Sequence, residues 1–73
     1  MTKHNLMNWC YKFADKYASK GNHNKANYWE FNGDMMLFKI PDNKLNSVGD
    51  EPTGKFTEKE IKSYFKKADD LED

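Results

Sequence analysis

The side chains of this 73-residue chain that could do chemistry are one thiol, two imidazoles and a few loop carboxylates. Cys10 is the only cysteine, and His4 is the imidazole nearest to it in sequence. A Cys–His pair would make a nucleophile and its base. On a helix turning about 100° per residue, however, the two side chains point roughly 120° apart. Cys10 also falls on the apolar side of the predicted first helix, where a free cysteine behaves as a small buried hydrophobe. His23 lies between Asn22 and Asn24 with no partner in sequence to poise it as a general base. Asp42, Asp50 and Glu51 offer oxygen ligands to a hard cation but lack the spacing of a calcium loop. No HExxH, CxxC, GxGxxG or Walker-type loop occurs. The expectation is a chain without catalytic residues, metal or cofactor.

Composition narrows the function classes further. A single cysteine forms no internal disulfide, so the staples of small secreted domains are ruled out. No apolar run approaches the roughly 20 residues of a membrane span, and no secretory leader pattern is visible. A reducing cytoplasm is the expected location. All 12 basic residues are lysine, balanced by 12 acids. Zero net charge argues against bulk attraction to polyanions, and the missing arginine removes the planar fork that grips phosphate or guanine. Lysine and asparagine richness suits a small accessory protein from an AT-rich bacterial or phage genome.

The elements that must position these residues form one small domain over residues 1–73. Residues 4–19 read as an amphipathic helix: Leu6, Trp9, Cys10, Phe13 and Tyr17 share one face at helical spacing, with Thr2 as N-cap and Gly21 just past the end. Residues 27–40 read as a β-hairpin turning at Asn32-Gly33, because Asn-Gly suits the positive φ angles of a tight type I′ turn. Residues 41–55 form a long loop, with room for a short third strand near residues 44–48. Thr57 and Glu60 make a capping box that opens a second helix over 58–68. The tail 69–73 holds four acids beside the negative end of that helix, so it is expected to fray. The predicted fold class is α+β in the order α-β-β-α, with two amphipathic helices on one face of a small antiparallel sheet.

Two surfaces follow from this reading. A two-residue turn directs Trp29, Phe31, Met36, Phe38 and Ile40 to the helices and Tyr28, Met35 and Leu37 outward, with Glu30 and Lys39 among them. An outward hairpin face this apolar suggests a non-catalytic accessory or modulator domain that binds another protein or a second copy of itself. The alternative is nucleic-acid binding through Lys12 and Lys16 on the first helix and Lys59, Lys62 and Lys66 on the second, with Trp9 stacking on bases. Charge is segregated to match: residues 1–27 carry five lysines and one acid, and residues 28–54 carry two lysines and five acids.

Overall fold

The computed structural model describes residues 1–47 and 49–72. Three α-helices make the fold: α1 (Lys3–Ser19), α2 (His23–Lys39) and α3 (Glu58–Phe65). A 3-10 turn spans Asp42–Ser47 and another spans Ala68–Asp70. Among the described residues there is no strand and no sheet, only an isolated bridge between Thr2 and Glu72. The fold is all-helical, and the expected α+β class is overturned.

The first helix forms for local reasons. The Thr2 hydroxyl accepts the Asn5 N–H at 3.0 Å, satisfying one of the donors that every helix start leaves open. Leu6, Met7, Trp9, Cys10, Phe13 and Ala14 are buried, an apolar arc wider than a single stripe. The helix ends in a Schellman arrangement: the Gly21 N–H donates to Ala18 O and the Asn22 N–H to Tyr17 O, with Gly21 at φ +76°. Asn22 then caps α2, its side chain accepting the Lys25 N–H. Three residues therefore both stop one helix and start the next, and His23–Lys25 already belong to the first turn of α2. A connection this short makes the two helices antiparallel neighbours. Phe13 accordingly meets Trp29, whereas Tyr11, two residues earlier, meets Gly33.

Residues 27–40, read as a hairpin, lie in α2 and its C-cap Ile40. Gly33 is buried mid-helix without a positive φ. Its hydrogen admits the Tyr11 ring: a β-carbon there would sit 2.6 Å from Tyr11 Cε1. The glycine thus serves a close helix–helix approach and not a turn, while the Asn32 amide donates back to Tyr28 O at 2.9 Å within the helix. A row on α2 (Ala26, Trp29, Gly33, Met36), continued by Ile40, is buried against α1.

The segment after α2 is strapped down by polar contacts. The place of the expected third strand holds the 3-10 turn, and Val48 lies outside the described residues. Further on, Thr53 O accepts both Trp9 Nε1–H (2.9 Å) and Asn5 Nδ2–H (3.1 Å), and the Thr53 N–H donates to Asn5 Oδ1. The Gly49 N–H donates to the buried Asn8 Oδ1 at 2.9 Å. Residues 49–53 are thus pinned to α1.

Helix α3 opens with the capping box: the Glu60 N–H donates to Thr57 Oγ1, and the Thr57 N–H donates to Glu60 Oε1. It drives Ile61 fully into the core. The α-helix stops at Phe65, short of residue 68, because the following bonds reach back three residues, as in Lys67 N–H to Tyr64 O and Asp70 N–H to Lys67 O.

Two contacts hold residues 69–72, the segment expected to fray, against the start of α1 and the end of α2. Lys39 bonds Asp69 at 2.5 Å, and the Lys3 N–H donates to Glu72 O at 3.0 Å. Lys39 offsets the charge of Asp69, and the Glu72 carbonyl satisfies an open donor at the start of α1. Asp73 lies outside the described residues.

Candidate functional site

With α2 a helix, the outward residues are redistributed. Tyr28, Phe31, Met35 and Phe38 follow each other at i, i+3, i+7 and i+10 and form one row on the solvent side. They expose 43%, 63%, 44% and 84% of their surface. At about 100° per residue this row lies roughly 150° around the helix from the buried row. Both rows have the 3-4 spacing of a helix-packing seam, but only the inner one is covered in the monomer. The outer row has an acidic and a basic edge. On the α1 side lies the exposed Asp34, whose carboxylate accepts the Tyr11 hydroxyl at 2.7 Å. On the α3 side lie Lys39, paired with Asp69, and Lys62, whose ammonium is 5.3 Å from the Tyr28 ring centroid.

Tyr28 and Met35 therefore lie on the outer row and Lys39 at its edge, whereas Glu30 lies farther round, beside the cleft between α1 and α2. Leu37 does not join them: it is half-buried and packs against the core. Phe31 and Phe38, expected to face the helices, are the most exposed large apolar side chains among those described. The sequence does hold the signal for them, since 28-31-35-38 is a helical repeat.

The lysines of the alternative reading are spread out. Lys12 pairs with Glu51 and lies 5.8 Å from the Trp9 ring. Trp9 itself is buried, packs on Phe13 and Phe56, and commits its indole N–H to Thr53, so it has no face to offer a base. Lys16 joins Lys20 and Lys25 around the Tyr17 ring at 5.1–6.0 Å. The Tyr17 hydroxyl donates to Glu58 at 2.6 Å, and that bond pushes its ionisation upward. Lys59 and Lys66 are exposed on or just after α3.

The chemical candidates stay apart. Cys10 is fully buried, and burial pushes its thiol up to about 12, so it remains protonated and non-nucleophilic at neutral pH. His23 is exposed in the first turn of α2. A cleft of about 430 Å³ between α1, α2 and residues 49–52 is lined in part by Ala14, Ala18 and Ala26. Asp15, Asp50 and Glu51 stand around it, with Glu51 already held by Lys12. Burial first, and the Asp34 carboxylate second, raise the nearby Tyr11 phenol above its ordinary value. Among the described residues no group of three or more His, Cys, Asp or Glu side chains converges to hold a metal ion. No helix there is long and apolar enough to cross a membrane. No protein-family model matches the chain, and comparison with characterised proteins and with solved structures finds no significant similarity.

Proposed function

We propose that this chain is a small, non-catalytic binding module of a reducing cytoplasm that docks another polypeptide on the outer row of α2, as an accessory or modulator of a larger assembly. The observation that carries this reading is the unbroken exposed row of Tyr28, Phe31, Met35 and Phe38 along one helix. Scattered exposed apolar residues are ordinary on any protein, but four in register along one helix face form the anchor pattern of helix-in-groove recognition.

The magnitudes show what the row can contribute to binding. Taking roughly 200 Å² for each such side chain, their exposures leave on the order of 450 Å² of apolar surface. At about 25 cal/mol per Å² that is on the order of 11 kcal/mol gross. Association alone costs roughly 4–15 kcal/mol, so the row anchors a complex and its edges must add contacts.

The double variant Phe31→Asp with Phe38→Asp tests the reading. We expect unchanged helical circular dichroism and loss of polypeptides that the wild-type bait retains. Identical retention by a folded variant would overturn it. The nucleic-acid alternative ranks second because Trp9 is buried and Lys12 is paired. We expect no band shift with single- or double-stranded DNA at low salt, where a lysine stripe would bind most tightly.

A further inference from the structure

Resting on that reading, we infer that the occupant of the outer row is a second copy of this chain, with the two α2 helices side by side and parallel about a two-fold axis. Three observations lead there. The row repeats at the spacing that lets identical helices interlock, with Tyr28 and Met35 as one kind of layer and Phe31 and Phe38 as the other. An identical seam on a second copy meets it in register without any further fitting.

The edges then select both the partner and the direction. Asp34 flanks the row on one side, and Lys62 and Lys39, the latter paired with Asp69, flank it on the other. A two-fold axis parallel to the helices brings the acidic edge of each copy onto the basic edge of its mate. An antiparallel pair brings like edges together, with the Asp34 carboxylate of one copy beside that of the other. Opposite charges across a helix pair set orientation in this way.

Area is the third observation. A stable interface takes about 800 Å² from each partner, and the row alone supplies on the order of 450 Å², using about 200 Å² per side chain and the exposures above. The flanking side chains must bury the remainder. Zero net charge adds no overall repulsion between copies.

Sedimentation equilibrium of the full chain, with Asn24→Cys cross-linking, tests the inference. We expect a mass of twice 8.6 kDa and its fall to the monomer value in Phe31→Asp with Phe38→Asp. Should that variant lose helicity, the single change Met35→Glu replaces it. Asn24 is exposed and lies one heptad before Phe31 on the same line. In a parallel pair, Asn24→Cys places two thiols within disulfide reach, so oxidation should yield a covalent dimer. Wild type should not cross-link, because its one thiol is buried. A dimer in which Asn24→Cys does not cross-link overturns the parallel arrangement. Monomeric wild type at its highest soluble concentration overturns self-pairing; if the aspartate variant still loses a different polypeptide, the binding-face reading survives. A dimer that persists in the variants, with unchanged bait retention, overturns both.

Discussion

Helix α2 carries two apolar rows, and they differ in side-chain size as much as in exposure. The inner row mixes Trp29 and Met36 with Ala26 and Gly33, so large side chains from α1 find gaps to enter. Phe13 lies on Trp29 at 4.7 Å between centroids, and the Tyr11 ring covers Gly33. The outer row holds only large side chains, Tyr28, Phe31, Met35 and Phe38, and no small residue makes room for a backbone. The inner row is built for close approach within one chain. The outer row projects knobs at 3-4 spacing, and the gaps between them are the holes that a second such row would enter.

The sharpest way to break this contrast is to truncate the largest inner side chain. Trp29 is almost fully buried and packs on Phe13 and Phe65. Trp29→Ala should lower unfolding free energy by about 3–5 kcal/mol, the usual range for a buried aromatic, as read by urea titration. Alkaline pH should produce the next largest effect. The Cys10 thiol is raised from 9.0 to about 12 in the fold. Its contribution is fully present below pH 9 and is lost as pH climbs toward 12, at up to about 1.4 kcal/mol per pH unit. Urea midpoints across that window should fall, and Cys10→Ala should flatten the part that begins near 9.

Gly33→Ala sharpens the comparison at one atom. Better helix propensity would add about 1 kcal/mol, but the new methyl meets Tyr11 at 2.6 Å. Overpacking of this kind costs typically 1–3 kcal/mol, so we expect a net loss of about 1 kcal/mol and restoration when Tyr11 is also shortened to Leu. The smallest effect belongs to the outer row. Phe38→Ser should change monomer stability by no more than about 0.5 kcal/mol in thermal melts of dilute protein. A loss as large as that at Trp29 would mean that the outer row is part of the fold.

The same contrast explains what the sequence disclosed. Helix α1 was legible because its apolar residues fall on one side and its ends carry their own signals, Thr2 and Gly21. Helix α3 was legible from Thr57 and Glu60. Helix α2 was not, because residues 28–40 are apolar on two faces and fit a period of 2 nearly as well as a period of 3.6. Asn32-Gly33 then weighed the reading toward a turn. The reason for Gly33 is a ring on another helix, which no local pattern displays. That one misreading sent Phe31 and Phe38 inward and brought Leu37 out. Tyr28 and Met35 kept their outward assignment because both the hairpin register, which pairs Trp29 with Met36, and the helical pattern turn them away from Trp29.

Cys10 also gives the molecule a built-in clock. A thiol-directed label can react only during the moments when the packing around that sulfur comes apart. The labelling half-time of the untouched chain therefore measures how often its interior opens. Compared with and without a bound occupant on α2, it would register how far docking on one side of a helix quiets the other.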